Sequence, residues 1–152
     1  MKYLASKTLV IAFATAVVLV SVPSAHGDQE NGCSNATLNG GYGFTTTGAT
    51  FDTGPTFSGT FGGIGRQSFD GRGNTSGTQT VSLNGNILRL TFAGTYKVNP
   101  DCTGTMTFVI SPIGATNHID FVVDDGGLEF RAINADGGGV LTTIGRKQFP
   151  QR

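Results

Sequence analysis

From Leu38 to Arg146 the chain runs in short stretches of alternating apolar and polar residues, each ending at a glycine, asparagine or aspartate turn. A period of two sends successive side chains to opposite faces of a strand, so the pattern predicts about eight strands, each with one dry and one wet face. The clearest is Ile87 to Val98, where Leu88, Leu90, Phe92, Tyr96 and Val98 share one face and Arg89, Thr91, Thr95 and Lys97 the other. After Asn99-Pro100-Asp101-Cys102, the set Gly104, Met106, Phe108 and Ile110 alternates with Thr103, Thr105, Thr107 and Val109, which makes a hairpin of the two stretches. Tyr42 and Phe44 mark a first strand. Phe57, Phe61 and Phe69 mark a second, with Gly62-Gly63 as a place for a bend or bulge. Asp70 to Gly73 turns the chain, and Val81 and Leu83 lead into Asn84-Gly85, a strong hairpin signal. Ile119, Phe121 and Val123, then Leu128 and Phe130, then Val140 to Arg146 complete the series. No apolar period of 3.6 occurs beyond the first 27 residues, so helices should be few and short.

The links are short enough to join antiparallel neighbours. Consecutive antiparallel strands with one apolar face roll into an up-and-down barrel, which removes exposed sheet edges. The expected fold is therefore an all-β, eight-stranded antiparallel barrel, with a two-sheet β-sandwich as the alternative. Glycines at positions such as Gly59, Gly63, Gly65, Gly94 and Gly104 favour the barrel, because closure needs tight bends and close backbone approach. A barrel of this size is filled by its own side chains or holds one small ligand. An outer-membrane barrel would reverse the faces. Beyond residue 27 there is no Trp and only Tyr42 and Tyr96, too few for two aromatic girdles.

Residues 1–27 read as a secretory signal peptide: Lys2 and Lys7, an apolar run from Leu9 to Val20, then small residues through Gly27, with cleavage after Ala25 or Gly27. The run is shorter than a bilayer span requires. Removing 27 of 152 residues leaves 125, residues 28–152, which suits one barrel domain. It also removes two of ten basic residues, leaving eight against ten acidic ones and a formal charge of −2. With neither net positive charge nor a basic run, nucleic acid is a poor partner. The expected location is secreted or periplasmic.

Cys33 and Cys102 in an oxidising compartment predict a disulfide, worth about 4 kcal/mol for a loop of roughly 70 residues in the chain-entropy picture. Catalytic groups are scarce. His26 falls in the leader, and His118 has the opposite parity to Ile119 and Phe121, which makes it a solvated strand residue. No G-x-S-x-G elbow, dinucleotide fingerprint, P-loop or EF-hand loop is present, so no catalytic residue, cofactor or metal site is assigned. Asp120, Asp124 and Asp125 are the candidate calcium ligands, but without an EF-hand loop they read as solvated acidic turns, and Asp120 with Glu129 is the candidate carboxylate pair by parity.

Two resemblances follow from particular segments. Cys33-Ser34, Gly40, Tyr42 and Phe57-Ser58-Gly59-Thr60-Phe61 resemble the avidin family of secreted eight-stranded barrels; the chain lacks the tryptophans of that family's biotin site, so biotin binding is not implied. A longer likeness, through Cys33 to Phe44, Phe69 to Asn74 and Gly94 to Thr105, is similar to small secreted bacterial proteins of uncharacterised function. It implies fold and compartment only. The expected function is non-enzymatic: a small apolar ligand held by Tyr42, Phe44, Phe92, Tyr96, Met106 and Phe108, or a surface component. The alternatives are a barrel isomerase of the allene oxide cyclase kind, which works mostly by shape, and a structural protein that assembles through its Thr-rich faces.

Overall fold

The computed structural model describes residues 32–51 and 58–149. The proposed signal peptide, His26 and Phe57 lie outside these residues. The strands are β1 (Asn39–Thr50), β2 (Gly59–Asp70), β3 (Asn74–Leu83), β4 (Asn86–Val98), β5 (Thr103–Ser111), β6 (Ala115–Asp124), β7 (Glu129–Asn134) and β8 (Gly139–Lys147). Each pairs antiparallel with the next, and β8 closes on β1, giving an eight-stranded up-and-down barrel rather than a sandwich. The only helical pieces among the described residues are two three-residue 3-10 turns, Asn35–Thr37 and Asp125–Gly127.

Alternation sets the walls as the sequence predicts. In β4, Leu90, Phe92, Tyr96 and Val98 are buried while Arg89, Thr91, Thr95 and Lys97 face solvent. In β5, Gly104, Met106 and Ile110 point inward. Three sequence expectations need correction. β2 keeps one unbroken register through Thr47↔Gly62 and Thr46↔Gly63, so no bulge interrupts it. Leu128 lies in the turn before β7 and is exposed, because the link from β6 takes a 3-10 turn there. Register also separates Asp120 from Glu129: Asp120 stands opposite Ile133, and Glu129 opposite Asp124.

Glycines shape the interior. Four of them lie under the ring of the phenylalanine directly across: Gly65↔Phe44, Gly77↔Phe92, Gly104↔Phe121 and Gly145↔Phe130. In each pair the ring occupies the space a β-carbon would need; at Gly145 that atom would lie 2.2 Å from Phe130 Cε1, and at Gly77 2.3 Å from Phe92 Cζ. Rings covering glycines on a neighbouring strand protect the bare backbone and let the wall curve.

The barrel is sealed at one end. The stretch before β1 crosses that end through the Asn35–Thr37 turn and is tied by the Cys33–Cys102 disulfide, whose Cα atoms are 4.9 Å apart. Asn35 Oδ1 accepts from the Val98 backbone N–H at 2.8 Å, and Cys33 N–H donates to the Pro100 carbonyl at 3.0 Å. Leu38 and Tyr42 are completely buried beneath this plug. Phe69 packs edge-on against Tyr42, Tyr96 and Phe130 at centroid distances of 5.2, 5.0 and 5.6 Å. Such contacts add to the burial of large rings.

Candidate functional site

Above this packed half the barrel is hollow. A cavity of about 420 Å³ occupies the half opposite the plug and reaches strand ends at Thr50, Leu83, Leu88, Ala115 and Leu141. Its volume lies within the roughly 300–1,000 Å³ range of small-molecule sites. The wall is mostly aromatic and aliphatic, with Phe44, Phe92, Phe108 and Phe130 joined by Val81, Leu90 and Ile110. Phe92 sits 4.9 Å from Phe108 and 6.0 Å from Phe44, centroid to centroid, so the rings form one continuous surface.

Four of the six sequence-proposed contact residues, Phe44, Phe92, Met106 and Phe108, line this cavity. Tyr42 and Tyr96 belong to the floor beneath it. Their hydroxyls serve the plug: Tyr42 donates to the Gly127 carbonyl, and Tyr96 bridges the carbonyls of Asn35 and Leu38 at 2.9 and 2.8 Å. Burial pushes Tyr42 up to about 12 and raises Tyr96 as well, because the low-dielectric floor disfavours a phenolate.

The sequence reading omitted the polar residues of the wall. Gln67, Gln79, Asn117 and Asn134 line the cavity with Thr46 and Thr143. Their parity gave the signal: Gln67 is in phase with Phe69, Asn134 with Phe130, and Thr46 with Phe44. Gln67 is 4% exposed, yet its amide nitrogen is satisfied, donating to Thr75 Oγ1 at 2.9 Å and to Met106 Sδ at 3.5 Å. Thr46 and Thr143 share a 2.8 Å hydrogen bond across the β1–β8 seam. Asn134 Nδ2 donates to the Asp136 carbonyl at 2.9 Å, whereas its Oδ1 is buried without a partner.

Among the described residues, none that lines the cavity is Asp, Glu, Lys, Arg, His or Cys. The chemistry on offer is shape, apolar contact and neutral hydrogen bonding. The described Asp, Glu, His, Lys and Arg side chains lie on the outer wall and in the turns. His118 Nδ1 is 2.8 Å from Asp136 Oδ1, and its backbone N–H donates to Asp136 Oδ2 at 2.7 Å. These contacts, the backbone one first, lower the Asp136 pKa and pin the turn after β7 to β6. Asp124, weighed as a calcium ligand, accepts instead from Arg131 Nε at 2.8 Å. No group of three His, Cys, Asp or Glu residues able to hold a metal occurs among the described residues. The outer wall sets exposed Ile64, Ile144 and Ile133 among Thr45, Thr47 and Thr142. Among the described residues no helix is long and apolar enough to cross a membrane.

Fold and site together define a disulfide-tied, closed eight-stranded antiparallel barrel, plugged at one end and hollow at the other. No protein-family model and no curated protein sequence matches the chain. The solved structure of a redesigned beta barrel is similar, with a TM-score of 0.54 at 15% identity, covering 75% of this chain and 94% of that one. At that identity the likeness concerns the fold alone.

Proposed function

We propose that this protein is a non-enzymatic extracytoplasmic barrel that binds one small apolar molecule in its hollow half. The observation that carries this reading is the cavity of about 420 Å³ walled by phenylalanine, leucine, isoleucine and valine. An eight-stranded barrel of these residues packs solid if its side chains allow, and its plugged half does so. None of the described lining residues is an acid or base, which favours binding over barrel isomerisation. The Cys33–Cys102 disulfide fits an oxidising compartment, as does the leader-like sequence of residues 1–27. A surface or assembly role would instead use the outer wall, and the cavity contributes nothing to it.

Two measurements test the reading. Native mass spectrometry of protein purified from its own host should show a retained mass that denaturation releases. Titration with the neutral fluorophore N-phenyl-1-naphthylamine should give saturable, blue-shifted emission. A chain that retains nothing and leaves the fluorophore dim and unshifted at micromolar protein would end the ligand-binding reading.

A further inference from the structure

The polar atoms of the cavity constrain the chemistry of its occupant, given the binding role proposed above. Two lining carboxamides, Gln67 and Asn134, have their orientation set by the protein. Thr75 has one hydroxyl proton, and it is donated to the Ser68 carbonyl at 3.0 Å. Thr75 Oγ1 can therefore only accept from Gln67, so the group facing it, at 2.9 Å, is the amide nitrogen. A second amide contact runs from the same nitrogen to Met106 Sδ at 3.5 Å. Both Gln67 protons are thus committed to the protein, and the uncommitted end is the carbonyl Oε1. Asn134 follows the same logic. The Asp136 backbone carbonyl can only accept, so it fixes Nδ2 at 2.9 Å and leaves Oδ1 as the orphan, buried and unpartnered. Gln79 and Asn117 also line the cavity and can turn either end of the amide to an occupant.

Of the two fixed acceptors, Asn134 Oδ1 is closed off from the open space, so the one an occupant can reach is Gln67 Oε1, deep in the barrel above Phe69. None of the described lining residues carries a positive charge. A carboxylate entering this space loses its hydration with no cation among them to offset the cost. A saturated hydrocarbon fills the walls but leaves Gln67 Oε1 without a donor. We infer that the cavity selects an uncharged, mostly apolar molecule that carries a hydrogen-bond donor, an aliphatic or alicyclic alcohol in the simplest case, and discriminates against fatty-acid anions. Gln67 is its specificity-determining residue.

Isothermal titration calorimetry at pH 8 on the disulfide-bonded protein tests this with three probes of one chain length: 1-decanol, decyl methyl ether and decanoate. One neutral hydrogen bond to a buried acceptor should make decanol bind about five- to tenfold tighter than the ether, with decanoate weakest. The Gln67→Leu variant, checked for folding by circular dichroism, should bring the decanol-to-ether affinity ratio closer to one. An ether that binds as tightly as the alcohol, or decanoate binding tightest, overturns the donor requirement while leaving apolar binding intact. A ratio unmoved in the folded Gln67→Leu variant overturns the assignment to Gln67. Failure of all three probes to bind would sink the apolar-ligand reading itself, and this inference with it.

Discussion

Gly145→Ala should be among the most damaging single-carbon additions in the barrel. The three atoms nearest its new β-carbon all belong to the Phe130 ring: Cε1, Cζ and Cδ1 at 2.2, 2.3 and 2.9 Å. Carbon atoms rest at roughly 3.5–4.0 Å, so the ring must retreat by more than about 1 Å. Tyr42 and Phe69 pack against it and block retreat toward the floor, so the ring can leave only toward the cavity it lines, out of its packed position. Overpacking of a tight core costs about 1–3 kcal/mol, and this geometry belongs at the upper end. Gly62→Ala is the control: no heavy atom lies within 4 Å of its added carbon, so stability should change by about 0.5 kcal/mol or less. Because the closest contacts are with a side chain, the clash can be relieved. Phe130→Leu by itself should cost about 2 kcal/mol for the space it leaves. Combined with Gly145→Ala, the total should fall below the sum of the two by about 2 kcal/mol. Urea unfolding followed by far-ultraviolet circular dichroism measures all four proteins. Equal losses for Gly145→Ala and Gly62→Ala, or additive losses in the double variant, would refute the ring-over-glycine account.

Replacing Cys33 and Cys102 with Ser should lower stability by about 4 kcal/mol, since the bridge spans 69 residues; an unchanged urea midpoint would show the plug to be held without it. Burial holds Tyr42 at about 12, above its usual 10, so its contribution is complete below about pH 10 and is lost as pH rises toward 12. Alkaline unfolding and tyrosinate absorbance should therefore rise together in that window, whereas reversible ionisation near pH 10 in the folded barrel would contradict the buried floor. Asp70 is the acid counterpart. The Asn74 side chain first, then the backbone N–H groups of Asn74, Arg72 and Gly73, hold it near 2. Its contribution is present above about pH 4 and disappears as pH falls toward 2, so Asp70→Asn should flatten the acid limb of a stability–pH curve. An unaltered acid limb would exclude a stabilising role for the β2–β3 turn.

Much of this architecture was legible because antiparallel barrels are built from local signals. Asn84-Gly85 and Asp70 to Gly73 mark their turns by type, and the alternation in β4 and β5 separates inside from outside without any tertiary knowledge. Parity has no access to height along the barrel axis. Tyr42 and Phe44 share a face two residues apart, yet one closes the floor and the other borders the cavity. Register is equally hidden. Asp120 and Glu129 fail to meet because the 3-10 turn Asp125–Gly127 offsets β7 so that Asp124 takes the place opposite Glu129. The inward polar residues were overlooked for a different reason. Gln67 and Asn134 interrupt apolar faces, and only the partners that fix their amide nitrogens, Thr75 and Asp136, show how the wall holds them.

The glycines connect the fold to the site. Phe44, Phe92 and Phe130 all line the cavity, and each has its ring over a cross-strand glycine: Gly65, Gly77 and Gly145. With a larger residue at those positions the rings would be forced off the wall and toward the axis, where the open space lies. A barrel with the same phenylalanines and no glycines would close its hollow half, as the other half is closed by Tyr42, Phe69 and Tyr96. The cavity thus depends on where side chains are missing as much as on which ones are present. Gly77→Ala, whose β-carbon would lie 2.3 Å from the Phe92 ring and 2.4 Å from the Arg66 carbonyl, tests this. If the glycine holds the cavity open, affinity for N-phenyl-1-naphthylamine should fall at temperatures where the variant is still fully folded. A variant that loses stability but binds with unchanged affinity would confine the glycines to shaping the wall.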